Sequence, residues 1–219
     1  MKTFKFNIPV IAGILLLLVV MGSCKKKKTA PTLTLNGGSS ITMCVGDEYL
    51  EAGASAVDAY GDDVEVIITT DLNVNSSGTY TVDYTATDKN DNVSTEQTTI
   101  TVEVCASSML GDYTINSDCQ ALGIDIISSD QSILPGLNSN QFIIDNFNFA
   151  ISQITASVEN SIITVPQNTF TIGSPPLSTD VTISGVGTVN ETGTEMIIIY
   201  TYDAGIAGSG TCTATYTRV

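Results

Sequence analysis

Hydrophobic and polar residues alternate in short stretches from residue 31 to the end of this chain, and no stretch carries a helical period. Thr32-Leu33-Thr34-Leu35 and Ile41-Thr42-Met43-Cys44-Val45 repeat every two residues, the signature of strands with one buried face. Residues 79–86 do the same and place Tyr80, Val82, Tyr84 and Ala86 together, as do Ile100, Val102 and Val104. In the second half, residues 154–158, 161–165 and 181–189 alternate cleanly, and residues 141–149 less so. Met196-Ile197-Ile198-Ile199-Tyr200 is continuously apolar, which suits a strand covered on both faces. Turn residues punctuate the strands: Asp88-Lys89-Asn90-Asp91-Asn92, Glu159-Asn160-Ser161 and Asn190-Glu191-Thr192-Gly193-Thr194 read as hairpin turns, and Pro175-Pro176 as a loop. The pattern predicts an all-β chain.

The N-terminus breaks this pattern. Residues 1–5 carry Lys2 and Lys5, residues 8–20 are uncharged and apolar, and Met21-Gly22-Ser23 leads into Cys24. A charged start, a short apolar run and small residues make a secretory signal over residues 1–23. The run is shorter than the roughly 20 residues a bilayer span needs. Cys24 after two small residues resembles the lipobox of bacterial lipoproteins, with Met21 in place of the usual leucine. That resemblance implies acylation of Cys24, attaching the chain to a membrane; the alternative is ordinary secretion. Residues 24–30 then form a Lys-rich tether, suited to an anionic membrane surface or to simple spacing.

Charge and composition narrow the function. Beyond the tether only Lys89 and Arg218 are basic, against all 23 acidic residues. Such a body repels phosphate backbones, which excludes nucleic-acid binding. There is no histidine and no tryptophan. Histidine-dependent triads and imidazole zinc sites are therefore ruled out. A carboxylate pair, as in a glycan hydrolase, is the catalytic chemistry that remains, and we read the chain as no enzyme.

Residues 31–104 hold about seven short strands, the count of a small β-sandwich. Tyr49-Leu50-Glu51-Ala52-Gly53-Ala54-Ser55-Ala56-Val57-Asp58 resembles a motif of bacterial surface immunoglobulin-like domains, the type also found in pesticidal crystal proteins. Glu51 and Ala52 depart from the motif's Asp-Pro. Gly61-Asp62-Asp63-Val64 is similar to its Gly-Asp turn, and Gly78-Thr79-Tyr80-Thr81-Val82 to its Gly-Thr-Tyr strand. The resemblance implies a spacer or adhesive module over residues 31–105. Residues 106–219 resemble the C-terminal β-domain of small Bacteroidota lipoproteins, through Gly111-Asp112-Tyr113, Asn146-Phe147, residues 162–167 and Gly185-Val186-Gly187-Thr188. That implies a second antiparallel domain, a β-barrel or β-sandwich, of unknown function.

Besides Cys24, four cysteines allow three connectivities. The immunoglobulin-like layout implies that Cys44 and Cys105 meet at one end of the sandwich. Cys119 and Cys212 lie in the first and last strands of the second domain, which pair in many closed β-folds. A rival bridge, Cys105–Cys119, would clamp the junction instead.

Two site candidates stand against plainer readings. Asp88-Lys89-Asn90-Asp91-Asn92 spells the calcium-linker signature of cadherins, and Asp58, Asp62, Asp63, Asp88 and Asp91 together would offer a structural calcium site; otherwise they are solvated turn acids. Tyr113, Tyr200, Tyr202 and Tyr216 would form a glycan-stacking patch if two or more were exposed on one face; otherwise they fill the core. The reading is a non-catalytic, lipid-anchored outer-membrane protein that binds a glycan or envelope protein, with the immunoglobulin-like domain as spacer. The alternatives are a lipocalin-like carrier of a small apolar ligand and, third, a glycan hydrolase. Lys25–Lys28 stand where surface-exported lipoproteins carry acids, favouring the periplasmic face; the immunoglobulin-like resemblance favours the surface.

Overall fold

A computed structural model describes residues 28–121, 124–148, 151–173 and 178–219. The signal segment, Cys24, Lys25–Lys27 and Pro175-Pro176 lie outside the described residues. Seven strands build the first unit: β1 (Thr32–Leu35), β2 (Ser40–Cys44), β3 (Ala54–Val57), β4 (Asp63–Val64), β5 (Val66–Thr70), β6 (Gly78–Thr87) and β7 (Val93–Glu103). They form two sheets, ordered β1-β3-β4 and β2-β7-β6-β5. β2 runs parallel to β7, with Cys44 opposite Glu103, and the other pairings are antiparallel. Val82, Tyr84, Ile100 and Val102 centre the core between the sheets, and Leu33, Leu35, Ile41 and Met43 pack against them.

The Tyr49–Gly53 segment is held by its acid. Glu51 accepts hydrogen bonds from the hydroxyls of Tyr84 (2.6 Å) and Tyr49 (2.8 Å) and from the Gly53 N–H (2.7 Å). Desolvation pushes the Glu51 carboxyl up, but these donors outweigh it and hold it below the ordinary carboxylate range. One carboxylate thus pins the loop between β2 and β3 to the β6 strand.

The second unit comprises β8 (Gly111–Ser117), β9 (Gln120–Ala121), β10 (Ile124–Asp125), β11 (Asp130–Pro135), β12 (Gln141–Asp145), β13 (Gln153–Glu159), β14 (Ile162–Ile172), β15 (Thr179–Val189), β16 (Glu195–Asp203) and β17 (Ser209–Arg218). Eight of these close into an antiparallel barrel in the order β11-β12-β13-β14-β15-β16-β17-β8. β9 and β10 form a separate small hairpin. Of the two architectures the sequence leaves open, the barrel is the one adopted. An eight-stranded barrel has an interior just wide enough for side chains to fill. Here Tyr113, Phe142, Ile144, Ile154, Ile163, Met196, Ile198, Tyr200 and Tyr216 fill it, all buried in one cluster.

Gly187 lies on this inner face of β15. A Cβ there would stand 2.3 Å from the Ile197 carbonyl oxygen and 2.8 Å from the Ile198 Cα. The missing side chain lets β16 press its inward residues across the barrel.

Disulfides join Cys44 to Cys105 and Cys119 to Cys212, one within each unit. The rival Cys105–Cys119 bridge is not formed. The junction between the units is a single 3-10 turn, Ala106–Met109. Ser108 Oγ donates to the Val45 carbonyl (2.9 Å), and the Ser77 N–H donates to the Glu191 carbonyl (2.8 Å). Arg218 Nη2 donates to the carbonyls of Ser108 and Gly193. Gly193 has φ +71°, and a Cβ on it would meet the Ser108 carbonyl at 3.0 Å. Val45 packs against both cores. The turn, the β15–β16 hairpin tip and the C-terminal strand thus latch the sandwich to the barrel.

Candidate functional site

The five acids do not gather into one cluster. Asp58 opens a five-residue turn in which its Oδ1 accepts the N–H groups of Tyr60 (2.8 Å) and Asp62 (3.0 Å). Asp88 repeats the arrangement, accepting from Asn90 (2.7 Å) and Asn92 (2.9 Å). In both turns the fourth residue, Gly61 or Asp91, takes positive φ. Lys89 ties the turns together, with its Nζ 2.9 Å from Asp62 and 3.5 Å from Asp58. At Asp58 desolvation acts upward, but the two backbone donors and Lys89 prevail and hold it below its usual range. At Asp88 the Asn92 side chain leads the same lowering. These carboxylates serve the turns that contain them, and a lysine ammonium stands beside Asp58 and Asp62. Asp63 lies in β4, opposite Val57, just beyond the Asp58 turn. Among the described residues the one trio of potential metal donors within 4.8 Å is Asp118, Cys119 and Cys212, and both cysteines are spent in a disulfide.

The tyrosines do not form a stacking patch. Tyr113, Tyr200 and Tyr216 are buried, and Tyr202 is half-buried. The hydroxyls of Tyr200 and Tyr216 share a hydrogen bond of 2.7 Å inside the barrel. The Tyr113 hydroxyl sits 2.8 Å from the Met109 carbonyl and receives Arg218 Nη2 at 3.2 Å, so it belongs to the junction. The reason is phase: these residues fall on the inward positions of β8, β16 and β17. Among the described residues, Phe142, Ile198, Tyr200 and Tyr216 occupy the barrel interior, where a lipocalin-like carrier requires an apolar chamber of a few hundred Å3. Asp112 and Asp130, which share one outer-wall groove, are exposed and bonded to serine hydroxyls of Ser132 (2.6 Å) and Ser129 (2.9 Å).

The apolar run in β16 is corrected too. It is covered on one face only. Met196, Ile198 and Tyr200 point inward, while Ile197 and Ile199 are 46% and 55% exposed. Closure of the barrel gives every strand one wet face, so an unbroken apolar run must expose half of itself. On neighbouring strands Val186 is 60% exposed and Ile162 51%. The register places them side by side. Thr215, Ile197, Thr188 and Ile162 form one row across β17, β16, β15 and β14. Thr213, Ile199, Val186 and Thr164 form the next, and Thr211, Thr201 and Ser184 a third. Pairing of β14 with β15 shifts between Val165 and Asn168, and the irregularity opens a groove of ≈ 430 Å3 lined by Pro166, Gln167, Ser184, Val186, Ile199 and Thr201.

Every position in these three rows is uncharged. The acids stand around them: Glu159, Glu191 and Glu195 at one end, Asp180 and Asp203 at the other, and Asp118 at the β17 edge, where it accepts the Thr213 N–H (2.6 Å). A continuous run looks doubly buried, which hides Ile197 and Ile199, and the otherwise clean alternation of β15 hides Val186. The signal was available in β15: the inward set is Val181, Ile183, Gly185, Gly187 and Val189, and Val186 is an apolar residue out of phase with it.

Residues 33–104 match the family described as bacterial surface protein, Ig-like domain. The match spans the first unit almost from end to end. No curated protein matches the chain in sequence. Among solved structures, a lipoprotein from Bacteroides thetaiotaomicron is 17% identical, with 86% of this chain and 100% of that one covered and a TM-score of 0.33. A structure of the CBM51-2 domain in complex with GlcNAc and INT domains from Clostridium perfringens ZmpB is 14% identical. It covers 85% of this chain and 43% of that one, with a TM-score of 0.28. Likenesses this distant carry no argument about function.

Proposed function

We propose that this chain is a non-catalytic binding module of the bacterial cell surface, tethered through acylated Cys24, with the Ig-like unit as spacer and the barrel as the part that engages a partner. The observation that carries this reading is the barrel interior, filled among the described residues by side chains such as Phe142, Ile198, Tyr200 and Tyr216, which directs binding to the outer wall. The buried tyrosines weigh against glycan stacking on the barrel and favour a protein partner over a glycan. The latch at Ser108, Glu191, Gly193 and Arg218 suits a spacer that presents the barrel in a fixed orientation. The matched surface-protein family supports an outward-facing position.

Two measurements on the full-length protein test this. Cell fractionation should place the wild type with membranes and the Cys24→Ser variant in the soluble fraction. Solvent extraction of the purified protein, followed by mass spectrometry, should yield no apolar compound at stoichiometric amount. A stoichiometric apolar ligand would restore the carrier reading, and a Cys24→Ser protein that stays on membranes would remove the anchor.

A further inference from the structure

We infer that the outer face of β14–β17 is the docking surface, and that its occupant is a protein of the same cell envelope whose contact patch has an aliphatic centre and a basic rim. This rests on the binding-module reading above and goes beyond it by naming the face and the chemistry of the partner.

The argument begins with charge. Residues 106–219 contain ten acidic residues and one basic residue, Arg218, whose guanidinium is committed to the junction. Acids are scattered on the outer positions of the barrel, as with Asp112, Asp130 and Asp145, yet the three rows on β14–β17 hold none. In their place stand Ile162, Val186, Ile197 and Ile199 among threonines. Val186 and Ile199 face each other directly across β15 and β16, and the groove at the β14 irregularity begins beside them. Four large aliphatic side chains about half exposed on adjacent strands, framed by threonine, make a contiguous apolar patch of the kind that marks an interaction site.

Its composition selects the occupant. Aliphatic and threonine side chains give no aromatic platform to a sugar ring. A second copy is disfavoured by the frame: the face ends in Glu159, Glu191 and Glu195 on one side and Asp180 and Asp203 on the other, with Asp118 beside Thr213 at its β17 edge. Stacking two copies face to face brings acids against acids in either orientation, and like-charge juxtaposition is costly. The same acids would repel an anionic lipid surface. They would attract lysines and arginines at the rim of a partner while the aliphatic centre is buried, the usual division between interface core and rim.

The test is site-specific photo-cross-linking in living cells, with the probe residue at position 199 or 186, or at position 134 on β11 of the opposite wall. The protein captured is identified by mass spectrometry, purified, and its binding to the purified full-length protein measured at low and high salt. We expect one envelope protein to cross-link from 199 and 186 and not from 134. Ile199→Asp should weaken its binding at least tenfold, Ile199→Thr should weaken it less, and added salt should weaken it further. Near-ultraviolet dichroism and melting of both variants verify that the barrel remains folded. Capture of a second copy, a lipid or a glycan, absence of salt dependence, or no protein enriched at 199 over 134 would overturn the proposal. A partner captured from position 134 alone would overturn this docking face and leave the binding-module reading intact. No capture from any position would remove both.

Discussion

Replacing Tyr216 by phenylalanine removes one hydroxyl from the centre of the barrel, and the structure specifies the consequence. Tyr200 and Tyr216 are both fully buried, and their hydroxyls meet at 2.7 Å. Tyr216→Phe leaves the Tyr200 hydroxyl out of water without that partner, a loss of about 1–3 kcal/mol. Tyr200→Phe does the same to Tyr216. The double replacement by phenylalanine removes both polar groups while keeping the ring volume, and such paired apolar exchange is close to neutral. The singles should therefore each cost more than the double, with a coupling of at least ~1 kcal/mol in a double-mutant cycle. Urea unfolding with the disulfides intact, followed by near-ultraviolet dichroism of tyrosine, reads this directly. Additive effects, or singles indistinguishable from wild type, would mean that the hydroxyls reach water, and the filled interior would be wrong.

Other consequences follow from the same packing. Gly187→Ala drives a Cβ into β16 and should destabilise the barrel by about 1–3 kcal/mol, typical of overpacking, whereas Val186→Ala on the outer face should stay within about 0.5 kcal/mol; equal melting curves would refute the inward placement of Gly187. Burial raises the Tyr200 and Tyr216 phenols well above their ordinary range. Stability is then fully present below the unfolded phenol value of about 10 and falls as pH rises through the folded values, because the unfolded chain releases those protons first; absorbance titration should show both phenols ionising only on unfolding. Removing the Cys119–Cys212 bridge opens a loop spanning a separation of 93 residues. By loop entropy this costs about 4–5 kcal/mol as an upper estimate, to be read as a fall in the urea midpoint of the Cys119→Ser/Cys212→Ser protein. The melting temperature should be the same in millimolar calcium and in chelator, since Asp58 and Asp88 already serve their own turns; a rise with calcium would show that the acids rearrange into a site.

The fold was legible where one physical rule governs. Alternation of period two gave the strands of both units, and Tyr80, Val82, Tyr84 and Ala86 share a face of β6 as that rule requires. The five-residue turns at Asp58 and Asp88 were legible for the same local reason, since short acidic side chains bond their own backbone. What could not be read was closure. Whether Ile197 and Ile199 meet a second layer or water depends on how eight strands close around one core, a property of no single strand. The choice between the two tyrosine readings has the same root: Tyr200 and Tyr216 lie in phase with Ile198 and Ala214, but only the barrel makes that phase the interior. The junction was equally hidden, because Arg218, Ser108 and Gly193 are far apart in the chain and carry no shared motif. The charge-free face was concealed most thoroughly, being a pattern across four strands.

Accessibility on intact cells tests the central claim most directly. Proteinase K is the suitable protease, because Lys89 and Arg218 are the only tryptic positions beyond the tether. An antibody raised against residues 106–219 would report both surface labelling and cleavage. The account predicts that whole cells are labelled and that the protease removes the signal without disruption of the outer membrane. Labelling and cleavage only after that membrane is opened would contradict a surface-held binding module.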